Sequence, residues 1–193
     1  MKNDFFRIHA LFTRTTNQSP CLHEILATGG VYGLDKGEEK MKLIKNIDVY
    51  APEPLGKKDV LILGDKIAKI EEAGGMPEIP FLLPEDVIDG SDRILTPGFI
   101  DCHVHVLGGG GEGGFANRTP EATVEGMTRF GVTTVVGCLG TDGIGRDMCA
   151  LVAKTKGLNE QGMSAYCYTG SYQIPVRTLT DSVTKDIMMI QEI

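Results

Sequence analysis

The run Pro97-Gly98-Phe99-Ile100-Asp101-Cys102-His103-Val104-His105 lies in a predicted strand, Ile94 to Val106, that ends on two histidines and passes at once into Gly108-Gly109-Gly110-Gly111-Glu112-Gly113-Gly114. In a strand, residues i and i+2 project from the same face, so the rings of His103 and His105 can meet one metal ion at roughly 2.0 to 2.1 Å from each nitrogen. Asp101 shares that face, where it either holds a ring N–H or accepts a backbone hydrogen bond. A His-x-His pair alone is a weak signal, because such pairs arise by chance on half-exposed strands. Its weight comes from its place at the end of an apolar strand interrupted by proline and glycine, directly before a loop. His9 and His23 lie in a patternless stretch and receive no role.

Beyond this strand the pattern alternates between helix and strand. A helix is predicted from Thr119-Pro120, where threonine can cap and proline fits the first helical position, to Gly131, and a strand over Thr133 to Gly137. A second helix carries Met148, Leu151, Val152, Thr155 and Leu158 on one face and stops near Gly162; a third strand spans Ser164 to Thr169. A third helix begins at Thr180 or Asp181, repeats Val183, Ile187 and Ile190 at i, i+4 and i+7, and meets no stop signal before Ile193. Three successive βα units with short connections predict a parallel sheet with right-handed crossovers, in a barrel or in an open doubly wound sheet; periodicity does not choose between them. Both folds build active sites from loops at the carboxyl ends of the strands, where Thr141 and Tyr172 also fall. A tyrosine hydroxyl there can donate to a developing oxyanion, a contribution of about 2.7 to 4 kcal/mol. Against that stand the plainer uses of Tyr172 as a packed aromatic and Thr141 as a helix cap.

The glycine loop has two readings of equal weight. Phosphate cradling fails, because no Gly-Lys-Ser/Thr follows and Glu112 repels phosphate. A carboxylate on a backbone-permissive loop beside a metal strand suits a cation, such as the ammonium of a peptide amino terminus. The other reading is a flexible surface hinge.

Upstream, Ile47 and Val49 alternate with Asn46 and Asp48, and Val60-Leu61-Ile62-Leu63 meets Ile67 to Ile70 across the turn signal Gly64-Asp65. Residues 41–93 are therefore read as a small β unit, with a domain boundary near 93. Residues 1–40 show no period and are expected to be a disordered leader or a misassigned start. The run Lys36-Gly37-Glu38-Glu39-Lys40 is encoded by a purine-rich stretch able to contain a ribosome-binding sequence, which points to Met41 as the start.

Composition sets limits on partners. The chain of 193 residues is 41% hydrophobic and 23% charged, ordinary for a soluble globular protein. A net charge of -7 with no Lys/Arg cluster argues against nucleic acid. No apolar run approaches the roughly 20 residues of a membrane span, and the first residues lack a secretory signal, so the cytosol is the expected location. Five cysteines at irregular spacing suit reduced thiols. Cys102, Cys138 and Cys167 lie in apolar strand-like runs, where a role as small core residues is preferred to a reactive one.

The motif Pro-Gly-Phe-Ile-Asp-x-His-x-His resembles the first-strand signature of the amidohydrolase superfamily. The series from His103-Val104-His105 through Gly108-Gly109-Gly110-Gly111-Glu112, Arg118-Thr119-Pro120-Glu121, Gly140-Thr141-Asp142 and Thr169-Gly170-Ser171-Tyr172 is similar to the isoaspartyl (β-aspartyl) dipeptidases, a likeness running from about Met41 to the end. The resemblance implies an α/β fold in which 94–193 forms the first three βα units of a (β/α)8, TIM-type barrel and 41–93 part of a small β-domain. It implies two zinc ions bridged by hydroxide and a carboxylated lysine, which activate water. By position, His103 and His105 would bind the more buried zinc, Glu112 the substrate's α-amino group, and Gly110 and Thr141 other parts of the substrate. Tyr172 would act catalytically by stabilising the tetrahedral intermediate. A small peptide substrate and a homo-oligomeric complete protein are implied as well. The bridging lysine, two further metal histidines and a proton-shuttling aspartate belong beyond Ile193, so the chain is expected to be truncated and inactive alone. Dihydroorotase-like or hydantoinase-like cyclic amidase activity, disfavoured by the tetraglycine-glutamate loop, and a non-catalytic fragment are the alternatives.

Overall fold

A computed structural model describes residues 9–14, 25–27, 41–64 and 66–193, with the backbone alone described for the first two stretches. The chain is mixed α/β and divides into two compact units between Gly98 and Phe99, with Arg129–Gly131 counted in the first. The strand read as continuous from Ile94 to Val106 is therefore two strands in two different sheets. Pro97 cannot donate to a ladder and Gly98 has no side chain to pack, so the pair ends one strand and releases the next. This moves the boundary expected near 93 to the Pro97-Gly98 step.

The first unit is a sheet of β1 (His9–Arg14), β2 (Ile25–Ala27), β3 (Met41–Tyr50), β4 (Pro54–Leu63), β5 (Lys66–Glu72), β6 (Val87–Asp89) and β7 (Arg93–Pro97). Its order is β2-β1-β7-β3-β4-β5, with β6 alongside β3. The β4–β5 hairpin forms as expected, with Ile62 opposite Ile67 and Leu63 opposite Lys66; Asp65 lies outside the described residues. In β3 the ladder shifts register between Ile44 and Ile47, and Asn46 takes a φ of 57°. This bulge lets Ile44 and Ile47, three apart, both reach 0% exposure in one core with Val49 and Val60. The Asp59 carboxylate, itself buried, accepts from the backbone N–H of Asn46 (2.9 Å) and of Gly74 (3.0 Å), which offsets the cost of burying it.

Within 1–40, expected to lack structure, β1 and β2 pair with each other and β1 pairs antiparallel with β7, Phe12 facing Leu95. A strand added at a sheet edge takes its hydrogen bonds from backbone alone, so it needs no side-chain period for recognition. The rest of 1–40, including Cys21 and His23, lies outside the described residues.

The second unit alternates β8 (Phe99–Val104), α1 (Val124–Thr128), β9 (Val132–Gly137), α2 (Met148–Glu160), β10 (Ser164–Cys167) and α3 (Val183–Met189). The three strands are parallel in the order β10-β9-β8. The face read for the second helix is the one that packs: Met148, Leu151, Val152, Thr155 and Leu158 are all buried against Val135, Met163 and Ala165. Each fully buried apolar side chain of this size contributes about 1.5 to 3 kcal/mol. Asp147 caps α2 by accepting from the Ala150 N–H at 2.8 Å, and Asn159 ties its other end to β10 through two 2.8 Å bonds with the Ala165 backbone.

Three expectations change here. The first helix is a short turn, and Thr119 does not cap it; Thr123 accepts from Gly126 instead, while Thr119 is engaged by the glycine loop. The third helix ends at Met189, before the chain does, and its buried residue is Asp186; Val183 and Ile187 are 41% and 57% exposed. Cys102 is exposed rather than core, as are Phe99 and Ile100 of the same strand, whereas Cys167 is buried as expected. No helix among the described residues is long and apolar enough to cross a membrane.

Candidate metal centre and substrate loops

Residues Asp101 and Val104 of β8 face Val135 and Gly137 of β9, so β8 carries one extra residue just where the histidines begin. Such a bulge re-aims side chains at a strand end. The rings of His103 and His105 meet edge to face, with centroids 5.5 Å apart and planes at 86°. Asp101 takes the backbone option: its Oδ1 accepts from the His103 N–H at 3.1 Å.

The His105 ring is held between two glycine backbones. A Cβ on Gly109 would lie 3.6 Å from its Cδ2, and one on Gly140 would lie 3.3 Å from Cε1 and 3.4 Å from Nδ1. His105 Nδ1 is 3.4 Å from the Cys138 carbonyl and 3.7 Å from Cys138 Sγ. One ligand atom each from His103, His105 and Cys138 fall within 4.8 Å of one another. Two imidazoles and a sulfur at that spacing suit a divalent ion that takes nitrogen and thiolate, zinc foremost. Burial, helped by the nearby Asp101 carboxylate, pushes the Cys138 thiol above its ordinary value. Reading Cys138 as a core residue overlooked this neighbour, since no local pattern links positions 105 and 138.

The glycine loop is tied to the loop after β9 rather than hanging free. Gly110 pairs with Arg118 in an antiparallel bridge, and the Thr119 hydroxyl accepts from the Gly109 N–H at 2.6 Å. Arg146 Nη1 donates to the carbonyls of Gly109 and Gly110, both at 3.2 Å, and its Nη2 to that of Thr119 at 3.3 Å. Arg118 forms an ion pair with Asp142, whose carboxylate also accepts from the N–H groups of Gly145 (2.7 Å) and Ile144 (3.1 Å). Those backbone bonds, with the two arginines, hold Asp142 below the usual carboxylate range. The sequence alone assigns no role to Arg118, Asp142 or Arg146; charged residues flanking a glycine run are the signal that marks them.

Among the expected substrate residues, Glu112 and Thr141 come together: the Thr141 hydroxyl donates to Glu112 Oε1. That bond, then the residue's own backbone N–H, and the nearby His105 and Arg146, hold the Glu112 carboxyl below its ordinary value. Gly110 has a φ of 75°, and a Cβ there would lie 2.6 Å from the Asn117 carbonyl oxygen, so the position requires glycine for its backbone alone. Tyr172 stands in the loop after β10, 72% exposed, and its hydroxyl has no hydrogen-bond partner among the described residues. That loop is closed by the buried Asp186, which accepts from the Thr169 hydroxyl, from the N–H groups of Leu179 and Thr180 (2.9 Å each) and from the Thr180 hydroxyl (2.5 Å). A cavity of about 410 Å³ opens beside Leu139, Ile144, Met148 and Arg177, and none of the expected site residues lines it.

No family model matches the chain. A solved structure of β-aspartyl dipeptidase from Fervidobacterium islandicum AW-1 in complex with a β-Asp-Leu dipeptide is 46% identical, aligning over 81% of this chain and 40% of its own with a TM-score of 0.73. A second structure of that enzyme aligns with a TM-score of 0.74. A dihydroorotase from Staphylococcus aureus is 38% identical over 95 residues, 49% of this chain and 20% of the relative. An imidazolonepropionase from Acidiphilium cryptum is 39% identical over 64 residues, 33% of this chain and 16% of the relative. The chain thus spans about 40% of the solved structures and 20% or less of these two curated relatives.

Proposed function

We propose that this chain, which resembles the β-aspartyl dipeptidases of the amidohydrolase superfamily over part of their length, supplies the metal-binding and amine-recognising part of a hydrolase that cleaves β-aspartyl (isoaspartyl) dipeptides. In this reading the βα units of 99–193 are the first three of a (β/α)8 barrel. The observation that carries it is the Glu112–Thr141 pair: an exposed, ionised carboxylate on a braced glycine loop, in the same unit as the paired histidines.

His103 and His105 would hold a zinc ion. Zinc bound there supplies a water activated for attack on an amide carbonyl. Glu112 receives the free α-ammonium of the substrate, and the Thr141 hydroxyl keeps the Glu112 carboxylate ionised and aimed. Gly110, with no side chain, lets the substrate backbone approach the loop closely. Tyr172, in the loop after β10, would donate its hydroxyl to the oxyanion that forms as the carbonyl is attacked.

A second reading, a dihydroorotase-like cyclic amidase, has the Staphylococcus aureus relative in its favour. The two differ at Glu112, because a cyclic amide offers no free ammonium. Backbone amide shifts of the chain, titrated with β-Asp-Leu, its N-acetyl derivative and dihydroorotate, separate them. The dipeptide should perturb Glu112 and Thr141, with affinity lowered about tenfold or more by Glu112→Gln, in keeping with the 1.5 to 3 kcal/mol of a hydrogen bond to a charged group. Equal binding of the N-acetyl derivative refutes the ammonium-binding role.

A further inference from the structure

Two histidines fall short of the three protein ligands usual at a catalytic zinc. The third donor nearest to hand comes from the adjacent strand. Cys138 follows β9 directly, and its N–H donates to the Val104 carbonyl at 2.9 Å, so the ladder itself sets Cys138 beside His105. A tetrahedral ion with bonds of about 2.05 Å to nitrogen and 2.3 Å to sulfur separates those two ligand atoms by about 3.6 Å. The observed separation of Cys138 Sγ from His105 Nδ1 is 3.7 Å, and the donor atoms of all three residues lie within 4.8 Å of one another.

Two details leave the sulfur and Nδ1 available. The Cys138 carbonyl is 3.4 Å from Nδ1, longer than the usual 2.7 to 3.2 Å of an N–H···O bond, so coordination at Nδ1 gives up only a weak contact. Gly140 leaves open the side of the ring that a Cβ would crowd at 3.3 to 3.4 Å. The only other contact competing for Sγ among the described residues is the Val104 carbonyl at 3.7 Å, a weak thiol hydrogen bond that coordination releases.

We infer that Cys138 is a metal ligand, joining His103 and His105 on zinc or a similar thiophilic divalent ion. The inference rests on the reading of the two histidines as ligands and adds a donor to it. On binding, the thiol gives its proton to solvent and the thiolate takes its place on the ion.

The test uses the whole chain, stripped with a chelator and titrated with cobalt(II) and with zinc. Cobalt should produce a thiolate-to-metal charge-transfer band that persists in Cys102→Ser and disappears in Cys138→Ser. Zinc affinity should fall in Cys138→Ser by more than the roughly 10- to 100-fold typical of losing an outer-shell partner. Zinc should also protect Cys138, and not Cys102 or Cys149, from alkylation in the unmodified chain, as read by peptide mass mapping. That measurement stands even where the Cys138→Ser chain fails to fold. Metal bound without a thiolate band, and with Cys138 alkylated as fast as Cys102, overturns the assignment of Cys138 while leaving the histidines in place. A chain that binds neither ion overturns both.

Discussion

Replacing Asp186 with asparagine tests how the loop carrying Tyr172 is held. Each carboxylate oxygen accepts two donors: Oδ2 from the Thr169 hydroxyl and the Leu179 N–H, Oδ1 from the N–H and hydroxyl of Thr180. An amide keeps one acceptor oxygen and turns an NH2 towards the other pair. The threonine hydroxyls can rotate to accept instead, but a backbone N–H cannot, so either Leu179 or Thr180 is left without a partner in a site where Asp186 is 0% exposed. An orphaned buried donor costs about 1 to 3 kcal/mol, and loss of the charge weakens the bonds that remain, for a total near 3 kcal/mol. At 1.36 kcal/mol per decade this is roughly 100-fold in the local opening equilibrium.

Native-state hydrogen exchange reads it at two amides: protection at Leu179 or Thr180 should fall by that factor at neutral pH. Burial works to raise the Asp186 pKa, but the four hydrogen bonds outweigh it and the folded value is depressed. Its contribution is therefore present above the unfolded carboxyl value, about 3.9, and is lost as pH falls through the lower folded value. The difference in protection between the unmodified chain and the Asp186→Asn chain should shrink in that acid range. Exchange at both amides unchanged within about threefold at neutral pH would refute the clamp.

Further outcomes follow from the site. Glu112 should titrate below its ordinary value of 4.5, and Thr141→Val should move it back towards 4.5, as followed by carboxyl carbon shifts; a midpoint unmoved by Thr141→Val removes the hydroxyl as the cause. The wild-type Glu112–Thr141 contact should thus survive acidification through 4.5 and fail only at lower pH. Gly140→Ala, whose Cβ sits 3.3 Å from His105 Cε1, should displace the ring by a few tenths of an ångström and weaken zinc binding about tenfold in a chelator competition; unchanged affinity shows the ring is free to adjust. Gly110→Ala meets both a left-handed φ and the Asn117 carbonyl, and should destabilise the chain to urea by about 1 to 3 kcal/mol; a neutral effect shows that the loop relaxes at no cost.

Features that repeat locally are legible in the sequence. The buried face of α2 follows from apolar residues at helical spacing, the β4–β5 hairpin from two apolar runs around a turn, and the convergence of His103 and His105 from their i, i+2 spacing. What escaped the sequence depends on partners far along the chain. Cys138 lies 33 positions from His105, and Arg146 is 36 from the Gly110 carbonyl that it holds. The split of one apolar run into β7 and β8 was signalled by Pro97-Gly98, but strand continuity on both sides hid the change of sheet. Asp186 was invisible for a related reason. Its position on a helix with apolar residues at 183, 187 and 190 reads as a solvated carboxylate, and only the folded-back 170–180 loop turns it into a buried acceptor.

X-ray absorption at the zinc edge of the loaded chain reads whether His103 and His105 hold the metal. Nitrogen scatterers are expected at about 2.0 to 2.1 Å with the outer-shell pattern of imidazole, reduced in His103→Ala, and sulfur at about 2.3 Å, lost in Cys138→Ser. A first shell of oxygen alone, or an imidazole pattern untouched by His103→Ala, would contradict that assignment.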